Sequence, residues 1–180
     1  MKIIVFGATG TGKTTFGQLL AANLNVAFLD SDDYYWEKTN PPFEVKIPLA
    51  QRQASLKADF DMHDRVVVCG SLYTWSKFWN TAFDLGVFLS LPKAIRMKRL
   101  RNREIVRYGE ALKTNEAIKK KSADFLEWAA AYETGTPDRH SMSRHLNWMK
   151  VLSCPIVKIN RDTTNQERLE IVLKAIENQT

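Results

Sequence analysis

The sequence predicts a doubly wound α/β domain, with strands and helices alternating around a parallel sheet. Three observations predict it. Five short apolar runs occupy residues 2–6, 26–30, 65–69, 85–89 and 155–159. Amphipathic helical patterns separate them, and a glycine-rich turn joins the first run to the first helix. Continuous runs such as Ile3-Ile4-Val5-Phe6 are the pattern of strands covered on both faces, as parallel strands are. Strand–helix alternation then gives right-handed crossovers and one layered domain.

Taken in order, the first helix is expected to turn Phe16, Leu19, Leu20 and Leu24 to one face. A second begins near Pro48, with Leu49, Leu56 and Phe60 inward. A longer helix carries Ile118, Ser122, Phe125, Ala129 and Tyr132 at spacings of three and four. The last opens on a capping box of Thr164 and Glu167 and continues with Leu169, Val172, Leu173 and Ile176 as its stripe. No repeat, linker or low-complexity tract interrupts residues 1–180, so a single domain is expected.

Composition narrows the class further. The 44% apolar and 26% charged residues are ordinary for a globular fold and exclude disordered and fibrous classes. No apolar stretch approaches the ~18 residues of a membrane span, and the first apolar run is too short for a secretion signal. Cys69 and Cys154 read as buried thiols without disulfide or metal spacing, and the expected location is the cytoplasm. The formal charge of +6 is confined to one segment: residues 93–121 hold eleven Lys or Arg against three Glu, and the remainder is net negative. A local anion-handling element is expected, and a nucleic-acid face is disfavoured.

Gly7-Ala8-Thr9-Gly10-Thr11-Gly12-Lys13-Thr14 is the most specific signal in the chain. Its glycines let backbone N–H groups turn inward around phosphates, and the following helix aims its positive end at the same anion. Lys13 is expected to meet the transferring phosphate and Thr14 to coordinate Mg2+, with Thr15 closing the loop. ATP and Mg2+ are therefore the expected cofactors. At the end of the second run, Asp30, Asp32 and Asp33 stand where ligands of open α/β sheets bind. Asp32 is expected to serve metal or acceptor, and Asp30 to contact the acceptor; helix capping competes for each. Tyr34, Tyr35 and Trp36 either stack on a base or plug the core edge, with plugging expected of two of them. The third run ends in Gly70-Ser71 without the aspartate of many ATPases, which disfavours a motor. Gly70 and Ser71 either admit a substrate to the backbone or form a plain turn. Arg96, Arg99, Arg103 and Arg107 share one helical face, where like charges repel unless an anion joins them. A phosphate-closing lid and a solvated basic face are the two readings.

Together these features resemble the nucleoside-monophosphate-kinase-like P-loop kinases. That group includes adenylate, shikimate and gluconate kinases, with adenylate-kinase-related or FlaR-like proteins the most similar in pattern. The resemblance rests on the phosphate loop, the Asp-rich second strand running into Tyr35-Trp36, Gly70, and Leu89-Ser90-Leu91-Pro92 followed by Arg99-Leu100 and Arg103. It implies a five-stranded sheet ordered 2-3-1-4-5, a lid at about 99–115 and an acceptor insert at about 38–61. It also implies that Arg99 packs on adenine, that Arg103 reaches the phosphates, and that residues 160–163 lie by the base. Adenylate kinases hold a phosphate acceptor with several arginines, whereas Arg52 is the only arginine between Ser31 and Asp64. Asp30-x-Asp32 is closer to shikimate-type kinases. The expected activity is phosphoryl transfer from Mg-ATP to a nucleotide or small-metabolite acceptor, through Lys13, Asp32 and Arg103. A nucleotide-binding regulatory protein, nucleic-acid-associated and with slow or no turnover, is the alternative.

Overall fold

A computed structural model describes residues 1–39, 42–136 and 139–179 of the chain. Five strands, β1 (Lys2–Gly7), β2 (Ala27–Asp30), β3 (Val66–Cys69), β4 (Leu85–Leu89) and β5 (Ile156–Ile159), form one sheet ordered β2-β3-β1-β4-β5. Every pairing is parallel. The helices are α1 (Lys13–Leu24), α2 (Ser31–Tyr35), α3 (Leu49–Asp61), α4 (Lys93–Tyr108), α5 (Ala111–Thr114), α6 (Glu116–Ala130), α7 (Met142–Met149) and α8 (Asn165–Glu177). The sheet order, the strand count and the doubly wound architecture agree with expectation.

Strand periodicity divides the core. Ile3 and Val5 face Phe16, Leu20, Ala21, Leu169 and Val172 of α1 and α8. Ile4 and Phe6 face the other way, onto Leu56 and Phe60 of α3, Trp148 of α7, and Trp75 and Trp79 of the loop before β4. A smaller cluster of Met97, Leu100 and Ala129 joins α4 to α6. Burying each large aliphatic or aromatic side chain stabilises by roughly 1.5–3 kcal/mol.

Local expectations hold with small corrections. The capping box of Thr164 and Glu167 forms as expected. β2 starts at Ala27 instead of Val26, because Asn25 takes a left-handed cap and the Val26 N–H still bonds to Ala21 of α1. Leu19 is 36% exposed and Leu49 43% exposed, against the inward placement expected of both. The buried face of α1 is Phe16, Gly17, Leu20 and Ala21, half a turn from Leu19. Leu49 lies in the first turn of α3, before that helix reaches the sheet. Tyr132 is buried as expected, but in the turn after α6.

Candidate active site

The carboxyl ends of β1, β2 and β3 build the site. Gly12 takes the left-handed φ of 89° as the cap of α1, which frees the loop amides to face a ligand. Inside the loop, the Thr11 hydroxyl donates to Ala8 O at 2.8 Å and Lys13 Nζ donates to the same oxygen at 2.9 Å. Lys13 thus lies over the hollow where phosphate binds such loops. The Arg168 guanidinium, only 2% exposed, donates to Thr11 O at 3.1 Å and to the Thr163 hydroxyl, tying α8 to the loop.

β2 and β3 run in register with Asp30 opposite Cys69. The Thr14 hydroxyl donates to Asp30 at 2.7 Å, and Asp30 also caps α2 by accepting from the Asp32 N–H. Asp30 is therefore the carboxylate beside the hydroxyl expected to hold metal. Thr14 and Asp30 are hard oxygen donors and fit Mg2+. The capping expected of Asp30 is thus present.

Asp32, Lys13 and Arg103 lie close enough to act on one another's charge. Enclosure and the neighbouring Asp30 raise the Asp32 carboxyl above the ordinary carboxylate value, while Lys13 and Arg103 oppose the rise. Asp32 stays open to water in the cleft, which moderates the effect. Burial lowers the Lys13 ammonium, with Asp32 the largest opposing influence. Burial and Arg107 likewise work against the Arg103 charge, which Glu104 and Asp32 favour. A hollow of about 270 Å3 beside Asp32 is lined by Asp33, Trp36, Glu37, Lys38, Thr39, Pro42 and Phe43. A wider one of about 830 Å3 lies far from the loop, between α7 and β5.

The expected acceptor side is rebuilt by the structure. Tyr34 donates to Asp59 at 2.5 Å, and Tyr34 and Tyr35 pack against the core, so two of the three aromatics are plugs as expected. Trp36 lines the hollow instead. Arg52 is stacked between Tyr35 and Trp75, its guanidinium carbon 4.1 and 5.2 Å from the ring centres. Its buried Nε has no hydrogen-bond partner, and among the described residues no carboxylate pairs with it. Gly70 does not open the strand to a substrate. At φ 131° it lies against Ser31, and a Cβ there would stand 1.8 Å from the Ser31 hydroxyl. The acceptor insert expected at 38–61 includes residues 40 and 41, which lie outside the described residues.

The arginine face is correct in geometry, but its members are not equivalent. Arg96 is fully buried, donates to Thr9 O at 3.2 Å and Ala129 O at 3.4 Å, and pairs with Glu133. Its role is structural. Arg99 pairs with Asp162 at 2.8 Å, close to Gly12 of the loop. Arg103 lies over Phe125, and Arg107 pairs with Glu104 at 3.1 Å and covers Phe43. Lys113, Lys119, Lys120 and Lys121 are also paired with carboxylates. Arg96, Arg99 and Arg107 thus meet carboxylates within the fold, whereas Arg103 rests on the Phe125 ring.

Two histidines, one fully buried and one half-buried, escaped the sequence reading. His145 is fully buried against Ser71 and Tyr132, and His140 bonds to Tyr73 at 2.8 Å while stacking on Trp128. Their signal was available in part: His145 stands three residues before Trp148 on the inward face of α7, as Arg168 stands four before Val172 on α8. Burial pushes the His140 imidazole down to about 3, and Lys13, Arg96 and Arg144 act in the same direction. The unfolded chain binds this proton below about pH 6.5, whereas the folded chain does not. Stability present above that pH is therefore lost as pH falls toward 3, by about 1.4 kcal/mol per pH unit. Urea denaturation of wild type and His140→Phe should show the wild type losing about 2–3 kcal/mol relative to the variant between pH 6.5 and 4.5. Parallel profiles would remove His140 as the cause.

Comparisons with known proteins agree with this geometry. Residues 3–118 match the AAA domain family. The chain is 36% identical over 172 residues to the uncharacterized protein YqaC of Bacillus subtilis, covering 96% of this chain and 95% of that one. A shorter match, 38% over 50 residues, links 28% of this chain to 27% of a probable gluconokinase of Mus musculus. Among solved structures, shikimate kinase from Bacteroides thetaiotaomicron has a TM-score of 0.61 at 18% identity, covering 98% of both chains. Deoxyadenosine kinase from M.mycoides has a TM-score of 0.55 at 14% identity, covering 99% of this chain and 100% of that one. At these identities the structures speak for the fold alone. Among the described residues, no helix is long and apolar enough to cross a membrane. The chain belongs to the AAA domain family of P-loop proteins and has the fold of the nucleoside-monophosphate-kinase-like P-loop kinases.

Proposed function

We propose that the chain is a cytoplasmic Mg-ATP-dependent kinase whose acceptor is a small hydroxy acid. One observation carries the reading: the Thr14 hydroxyl meets Asp30 at the end of β2, and Lys13, Asp32 and Arg103 lie close enough to act on one another's charge. An acceptor hydroxyl oxygen attacks the γ-phosphorus, the bond to the β–γ bridging oxygen breaks, and ADP leaves with the electron pair. Asp32 receives the hydroxyl proton, and its raised pKa makes it a better base than an ordinary carboxylate. Lys13 and Arg103 stabilise charge on the transferring phosphoryl oxygens. Thr14 and Asp30 would hold Mg2+, which would supply neutralisation of phosphate charge there. Arg52 takes the acceptor's carboxylate, since one guanidinium fork matches one carboxylate. A phosphate acceptor needs no base and is better served by several cations.

The experiment is a screen for acceptor-stimulated ADP formation with shikimate, gluconate, deoxyadenosine and the nucleoside monophosphates. Turnover confined to hydroxy acids is expected. Turnover with nucleoside monophosphates alone would overturn the acceptor assignment, and ADP release indifferent to every acceptor would overturn the kinase reading.

Asp32→Asn separates base from binding residue. Turnover should fall at least about 100-fold with little change in ATP affinity. The same change should raise Tm at neutral pH, because a carboxyl whose folded pKa is raised opposes folding while ionised. That gain should vanish at acid pH, where Asp32 is protonated in both states. An unaltered kcat with weakened ATP binding would make Asp32 a binding residue only.

A further inference from the structure

A hydrogen-bond chain, buried at Tyr132 and His145, ends at Ser71 beyond the carboxyl end of β3. Tyr132 O–H and His145 Nδ1 are 2.6 Å apart, and His145 Nε2 and Ser71 Oγ are 2.7 Å apart. Because Asp30 is opposite Cys69, Ser71 and Asp32 each stand two residues further along adjacent chain segments. Tyr132 also lies under Arg96, the arginine that holds Thr9 of the phosphate loop.

We propose that Ser71 is a specificity-determining residue: the order Tyr132 to His145 to Ser71 places the imidazole proton on Nε2, so that the Ser71 hydroxyl directs its own proton outward to an oxygen of the acceptor. Only the identity of that occupant rests on the kinase reading.

A neutral imidazole has one N–H and one lone pair. Burial, His140 and Lys13 all hold His145 in that neutral form. Two proton orders are then open. If Ser71 donated to Nε2, Nδ1–H would face the Tyr132 oxygen. The phenol proton would be left with Met142 Sδ at 3.8 Å, a weak acceptor. Tyr132 is 2% exposed, so water offers no substitute. In the other order Tyr132 donates to the imidazole at 2.6 Å and Nε2–H donates to Ser71. Only the Ser71 proton then lacks a protein partner among the described residues. Ser71 is half-buried two residues beyond the carboxyl end of β3, where an acceptor or water meets that need. The second order leaves no buried donor poorly matched, and it is favoured. The hydroxyl becomes an obligatory donor, selecting acceptors that present a lone pair there and rejecting those that present a donor or a methyl group.

The protein has three histidines, His63, His140 and His145, so long-range 1H–15N NMR of the 15N-histidine-labelled chain resolves each ring. His145 is expected with Nε2 protonated and Nδ1 bare, and Tyr132→Phe should release it to a mixture. Protonated Nδ1, or a mixture in the wild type, would overturn the proton order. With shikimate or gluconate as the acceptor probe, Ser71→Ala should raise KM about tenfold and leave ATP affinity unchanged, and Ser71→Thr should restore it. Tyr132→Phe, which touches no substrate, should raise the same KM while kcat holds. An acceptor KM indifferent to Ser71→Ala would overturn the specificity role. If no probe is phosphorylated, the kinase reading falls, and the NMR result still decides the proton order.

Discussion

Lys13→Ala is expected to lower turnover at least about 100-fold while leaving the fold intact. The side chain stands in the first turn of α1, and its only hydrogen bond among the described residues is to Ala8 O at 2.9 Å, a carbonyl the Thr11 hydroxyl also reaches. Removing the ammonium therefore strands no carbonyl. Burial already lowers its pKa, so the charge opposes folding, and alanine is the best helix former. Catalysis is different. The ammonium meets charge that develops on the transferring phosphoryl, in a cleft that bound nucleotide dries, and a donor in such a place contributes about 2.7–4 kcal/mol. The checks are steady-state ADP formation with the acceptor from the screen and a thermal melt of the same preparation. Near-wild-type turnover would remove Lys13 from the chemistry, and a collapsed melt would show that it is structural.

Arg96→Ala should give the largest loss of stability of any change on α4, about 3–5 kcal/mol. Three groups lose their donor at once: the carbonyls of Thr9 and Ala129 and the carboxylate of Glu133. The vacated volume also lies against Tyr132, whose ring centre is 5.0 Å from the guanidinium. Water reaches Glu133, so the carbonyls and the cavity dominate the cost. For a chain of this length the loss corresponds to a fall in Tm of about 10 °C. ATP affinity should fall as well, since Thr9 belongs to the phosphate loop. Arg99→Ala is the contrast. Its pair with Asp162 is exposed on both sides, and such pairs contribute about 0–1 kcal/mol. Equal Tm values for the two variants would contradict the division of this face into buried and exposed members.

The phosphate loop and its cation, the parallel strands, the acids at the end of β2 and the capping box of α8 were all legible in the chain itself. Each rests on interactions within a few residues, or on a period matching one backbone geometry. A loop of glycines before a lysine binds phosphate through its own amides, and a Thr three residues before a Glu satisfies its own helix end. Packing decided the rest. Arg96 and Arg99 are the same residue type on one helical face, yet one is sealed against α6 and the other lies open beside Asp162, because only Arg96 meets the turn after α6. Gly70 resembles a substrate approach until Ser31, from a different strand end, fills the space. Ser71, Tyr132 and His145 are far apart in sequence, so their hydrogen bonds leave no local signature. The sequence by itself determined the phosphate-loop geometry, since that geometry is local. Only the tertiary structure decided which charges are engaged internally, which carboxylate stands beside Thr14, and that Ser71, His145 and Tyr132 meet, since those contacts join segments whose separation carries no periodicity to read.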